Sequence, residues 1–164
     1  MQDDVDGLAD GWRAAGMSPQ VIAQLELSKR IARLGGALEQ ALKAELADLG
    51  LTYAEFDVLA ALRRSGPLKP SELSRSLYLT SGGTSNVLQR LTTAGHVERE
   101  ADPDDARSRW VRLSETGTAL TDRAMTMSVR VHEEIFGRVP AGAVRQAADA
   151  LREVLVEVGT RRFR

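Results

Sequence analysis

Residues 80–95, TSGGTSNVLQRLTTAG, decide the fold. Thr80 is a good N-cap, Gly95 is a natural C-terminal stop, and Val87, Leu88 and Leu91 between them are spaced to face a core. The rest of this helix is short and polar: Ser81, Thr84, Ser85, Asn86 and Gln89, with Arg90 near its end.

Upstream, Thr52 followed three residues later by Glu55 forms a capping box, Phe56, Leu59 and Leu62 share one face, and Ser65-Gly66-Pro67 ends the helix. Pro70 at a first helical position and Glu72 near the N-terminus favour a short second helix, LKPSELSRSL, although Lys69 is a poor N-cap. Three helices joined by tight turns give a helix-turn-helix. The period then changes. In HVERE (96–100) and RSRWVRLS (107–114) apolar and polar residues alternate around a turn-rich polar tip, ADPDDA, which predicts a two-stranded hairpin, the wing.

Long helical patterns flank this unit. Ser18-Pro19 starts one that carries Leu27, Ile31, Leu34, Leu38, Leu42, Leu46 and Leu49, with Gly35-Gly36 in its middle inviting a bend or a close helix contact. Ser114 caps another with Leu120, Ala124, Met127, Val131 and Ile135. After Gly137 and Pro140 a last one carries Val144, Ala148, Leu151, Leu155 and Val158. The expected fold is mainly α: an N-terminal extension (1–17), a dimerisation helix (18–50), a winged helix-turn-helix (51–117) and C-terminal dimerisation helices (118–164). Terminal stripes too long for the small central module to cover imply a second copy, a homodimer.

The 164 residues suit one domain with its own core. There is no cysteine, which excludes disulfides, thiolate metal sites, cysteine nucleophiles and thiol redox sensing, and suits a reducing cytoplasm. No stretch approaches the roughly 18 apolar residues of a spanning helix, and MQDDVDGLADGW is acidic where a secretory signal is basic, so neither export nor a membrane is expected. The net charge of -1 hides an uneven distribution. The first ten residues hold Asp3, Asp4, Asp6 and Asp10 without a base. The span from Arg63 to Arg112 holds Arg63, Arg64, Lys69, Arg75, Arg90, Arg99, Arg107, Arg109 and Arg112. A local basic face, not a basic total, is what nucleic acid requires.

In a helix-turn-helix the second helix enters the major groove, where its first turns meet phosphates and base edges. Thr80, Ser81, Thr84, Ser85, Asn86, Gln89 and Arg90 suit that role, because Asn and Gln pair bidentately with adenine, Arg with guanine, and Ser and Thr position the backbone. Gly82 and Gly83 permit close approach. Such residues also occur on ordinary surface helices, and the wing is the second element of the case. Arg107, just past its tip, suits the electronegative minor groove, with Asp105 placed to orient it, and Arg109 and Lys69 add positive charge nearby. The tip acids Asp102, Asp104 and Asp105 lack the spacing and glycine of an EF-hand and read as a solvated turn. His96 and His132 stand far apart, and no Gly-x-Ser-x-Gly or Ser-His-Asp pattern occurs, so no metal, cofactor or enzymatic activity is expected.

The run from Glu55 to Gly117, with Asp-x-Arg in the wing followed by Val-x-Leu-Ser, resembles the core of the MarR family of dimeric winged-helix regulators. The resemblance implies recognition-helix roles for Ser81, Thr84, Ser85, Asn86 and Gln89 and a minor-groove role for Arg107. Ala106 departs from the arginine frequent in the family. A narrower resemblance, carried by Trp12 in an N-terminal extension and by EFDVLAALRRSG, is to the urate-responsive branch, and implies ligand positions at Trp12, Asp57 and Arg99. The fourth position falls on Val87, which cannot donate a hydrogen bond to an anionic purine. Trp12 also reads as a hydrophobic anchor, and Asp57 as an ordinary paired polar residue. The expected function is a cytoplasmic, sequence-specific transcription regulator, a ligand-responsive repressor that binds a pseudo-palindromic operator as a homodimer. Its expected effector is an anionic or aromatic small molecule. The alternative is a winged-helix adaptor that binds protein and no DNA.

Overall fold

In the computed structural model, which describes residues 3–77, 79–101 and 109–159, the chain begins with a helix where the sequence pattern announces only an extension. Asp3 caps α1 (Asp4–Ala14), accepting hydrogen bonds from the Val5 and Asp6 amides, while the Asp6 carboxylate reaches back to the Asp3 amide. Val5 and Ala9 are wholly buried. The helix packs along α2 (Pro19–Ala47), tied to it by Arg30 to Asp3 and Asp6 and by Arg33 to Asp4.

Ser18 caps α2 with Pro19 in its first turn, as the sequence predicts. The helix is continuous through Gly35-Gly36, and a β-carbon at either glycine would meet nothing within 4 Å in the same chain. Its apolar stripe divides in two. Leu42 and Leu46 are buried, whereas Leu27, Ile31 and Leu34 are exposed.

Next come α3 (Tyr53–Ser65), α4 (Pro70–Ser76) and α5 (Ser81–Thr93), then the antiparallel pair β1 (Val97–Ala101) and β2 (Arg109–Leu113), then α6 (Glu115–Phe136) and α7 (Ala141–Gly159). The strands pair in register from Val97↔Leu113 to Ala101↔Arg109. Leu68 adds a one-residue bridge to β2 through two hydrogen bonds with Val111, at 3.0 and 2.9 Å. A single residue has no period, so alternation could not announce it.

One core joins the reading unit to the long helices. Leu59 and Leu62 of α3, Leu73 of α4, Leu88 and Leu91 of α5, Val97 of β1 and Val111 of β2 meet Leu42 and Leu46 of α2 and Ala124 and Val131 of α6. Burying each large side chain contributes about 1.5–3 kcal/mol, so this cluster fixes the winged helix upon α2 and α6. By contrast α7 buries no residue, and Val154, Leu155, Val156 and Val158 along it are exposed.

Candidate nucleic-acid interface

The start of α5 is held from two sides. Thr80 Oγ1 accepts a hydrogen bond from the Gly83 amide at 3.0 Å, closing the cap. Ser74 of α4 donates to Thr84 Oγ1 at 2.7 Å, and Thr84 Oγ1 donates to the Thr80 carbonyl at 3.0 Å. Thr84 is therefore no reader: it is 1% exposed, and its hydroxyl locks α4 to α5. Its spacing, four residues before Leu88 and seven before Leu91, puts it on the core face of α5, and only its polar type suggests a reader, because residue type gives no sign that a hydroxyl is satisfied inside.

Ser85, Asn86 and Gln89 lie on the side of α5 away from Leu88 and Leu91, Thr80 and Ser81 stand at its N-terminal end, and all five reach solvent. They form one short polar surface of donors and acceptors, backed by the core. Arg90, also exposed, is engaged sideways: its Nε lies 3.0 Å from Glu55 Oε1 on α3. Glu55 is 4% exposed, and its other oxygen accepts from the Thr52 amide at 2.8 Å and the Thr52 hydroxyl at 2.7 Å. The capping box of the sequence is thus present, and its glutamate has a second partner that spacing could not show.

Several of the span's cations are already paired. Arg63 binds Asp122 through Nε at 2.8 Å, and Arg112 bridges Glu98 and Glu100 on the outer face of the wing. Lys69 Nζ sits 5.1 Å from the centre of the Trp110 ring, a cation-π contact between the entry to α4 and β2. The Lys69 amide donates to Glu72 Oε2 at 2.7 Å, which compensates for the weak N-cap. Arg109 is exposed at the tip end of β2, opposite Ala101. Arg107, Asp105 and Ala106 lie outside the described residues.

The ligand positions fall on three separate elements: Trp12, half-buried, on α1; Asp57, half-buried, on α3; Arg99, exposed, on β1. Among the described residues no hydrogen bond or ion pair joins them. Burial, and then the neighbouring Glu39 carboxylate, raises the Asp57 carboxyl above the ordinary aspartate value. Tyr53 is raised too, first by burial and then by Asp57 and Glu39. Val87 is partly buried against the core.

A MarR family model matches residues 49–108, the stretch that holds α3, α4, α5 and β1. The chain is 33% identical over 114 residues to the HTH-type transcriptional repressor Rv2887 of Mycobacterium tuberculosis, a match covering 70% of this chain and 82% of the relative. The chain belongs to the MarR family. The multiple antibiotic resistance protein MarR of Escherichia coli is 28% identical over 132 residues, covering 80% of this chain and 92% of that one. A crystal structure of a mutant of that protein complexed with operator DNA superposes with a TM-score of 0.76 at 27% identity, covering 84% of this chain and 99% of that chain. Membership of the family makes this chain a DNA-binding transcription regulator rather than an enzyme, with the mainly helical winged-helix fold expected from its sequence. None of its described helices is long and apolar enough to cross a membrane.

Proposed function

We propose that the chain is a cytoplasmic, ligand-responsive repressor that grips a pseudo-palindromic operator as a homodimer. The observation that carries this reading is the polar surface of Ser81, Ser85, Asn86 and Gln89 on a helix whose opposite side is sealed into the core. Two such helices about one DNA turn apart would occupy successive major grooves, and the wings, with Arg107 and Arg109, would reach the flanking minor grooves. Lys69 and Thr80 would serve the phosphate backbone beside them.

The homodimer is supported by what one chain leaves uncovered. Leu27, Ile31 and Leu34 of α2 and Val154 of α7 line one apolar groove, and Leu155 is 65% exposed. Gly35 lines the same groove with open space above it, which suits close approach by a partner helix. The stretches 18–50 and 118–164 act in this reading as the dimerisation helices, 51–117 as the reader, and 1–17 as the strapped extension.

An effector would act by changing the spacing of the two readers, so that both half-sites can no longer be engaged together. Trp12, Asp57 and Arg99 are its candidate contacts. Val87 supplies no donor for urate, and Asp57 beside Glu39 repels an anion, so an aromatic effector without a carboxylate suits the site better than an anionic one.

Titration of DNA from beside the chain's own gene, followed by fluorescence anisotropy and repeated with urate and uncharged aromatic metabolites, tests the reading. Expected are tight binding that weakens steeply with salt and release by an aromatic compound. Binding that no salt weakens, with a protein partner captured instead, would favour the adaptor.

A further inference from the structure

Arg90 leaves α5 on its flank, one helical turn beyond Asn86, and turns toward the first turn of α3, where its Nε meets Glu55 Oε1 at 3.0 Å. Glu55 is held in its turn. Its second oxygen is fixed by the Thr52 amide and hydroxyl, and the residue is 4% exposed, so the carboxylate cannot swing away. The Arg90 side chain is nevertheless 63% exposed. A guanidinium carries its charge in a rigid plane, so an ion pair at one edge holds the group near α3 and leaves its other edge to solvent.

We infer that Glu55 is a positioning residue for DNA binding, which aims the Arg90 guanidinium at a phosphate on the groove wall and keeps it from reading a base. The inference rests on the DNA-binding reading above. A helix with its side chains is about 10–12 Å across and the major groove about 12 Å wide, so residues on the outward ridge meet base edges while those on the flank meet the walls. Arg90 spends its length sideways, on α3, and cannot extend along the ridge past Asn86 and Gln89 to the groove floor. The pairing also serves Glu55, whose buried carboxylate gains a cationic partner in Arg90.

The test is a double-mutant cycle on the full-length protein, with Kd for operator and for an unrelated duplex measured across a salt series and thermal melts run in parallel. Arg90→Ala is expected to weaken both duplexes alike, by about 10-fold or more, and to reduce the slope of log K against log salt by about one. Glu55→Gln keeps an acceptor for Thr52 but offers no charge to Arg90. It is expected to lower the salt slope in the same sense, and to cost no DNA affinity beyond that of Arg90→Ala when the two are combined. A changed preference at one operator base pair with an unaltered slope would overturn the inference, as would affinity losses that simply add, or melting shifts with no change in slope. Wild-type protein without salt-dependent affinity for any duplex would instead remove the underlying DNA-binding reading.

Discussion

The α-carbon of Gly117 lies so close beneath the carbonyl of His96 that a β-carbon there would stand 1.9 Å from the oxygen and 2.8 Å from the carbonyl carbon. Around this contact Ser114 donates its amide to His96 O at 3.1 Å and its hydroxyl to Gly95 O at 2.7 Å, and accepts from the Gly117 amide at 2.9 Å. The first turn of α6 is thereby clamped onto the turn between α5 and β1, which joins the reader to the long helix. Because both sides of the contact are backbone, neither can yield by a side-chain rotation. Gly117→Ala should cost about 1–3 kcal/mol of stability, measured by urea denaturation. An unchanged midpoint and slope would mean that the joint can open without penalty.

Thr84 and Asn86 stand two residues apart with opposite roles. Thr84→Val keeps the shape but strips the acceptor from the Ser74 hydroxyl, so it should destabilise the fold by about 1–2 kcal/mol and leave the base preference of the folded protein untouched. A binding-site selection with the purified variant checks this. A new preferred base under Thr84→Val would place its side chain in the groove after all.

Asp57 gives a pH signature. Its carboxyl is raised in the folded state by burial and by Glu39, so the native chain holds that proton more tightly than the unfolded one. Stability is therefore greatest while the group is protonated, declines as pH rises from the ordinary value of 3.8 to the folded value, and stays lowered above it. Asp57→Asn should raise the melting temperature at pH 7, with the gain shrinking as pH falls toward that ordinary value. A gain of equal size across the range would contradict the account of burial and like charge.

Leu155 is among the most exposed large apolar side chains described, and α7 buries nothing within its own chain. Leu155→Glu should leave the helical circular dichroism intact, convert dimers to monomers in sedimentation velocity, and weaken operator binding. Wild-type protein that sediments as a monomer at micromolar concentration would refute the proposed dimer.

Most of the fold is legible in the sequence because its signals are local. Thr52 with Glu55, Thr80, Ser114, Ser18-Pro19 and the switch from helical to alternating period each announce an element within a few residues. The first helix is harder to see because its capping box is made by two aspartates, Asp3 and Asp6, in a run that reads simply as acidic, and its ion-pair partners, Arg30 and Arg33, lie far along the chain. At the interface, residue type singles out Asn86 and Gln89 as surface polar groups, but cannot separate Thr84 from Ser85. The two differ only in which side of α5 meets α4. Pairings across the fold, such as Glu55 with Arg90 and Arg112 with two wing glutamates, follow from tertiary contact and leave no trace in spacing.

The most direct test is selection of bound sequences from random duplexes by the wild-type protein and by Asn86→Ala. The wild type should enrich a pseudo-palindrome whose half-site centres lie about 10 base pairs apart or a multiple of that, and Asn86→Ala should lose preference at one base pair per half-site, by about 1–3 kcal/mol, without loss of folding. Enrichment of no common sequence, or the same sequence with undiminished preference from the variant, would contradict the claim that the outer face of α5 reads DNA.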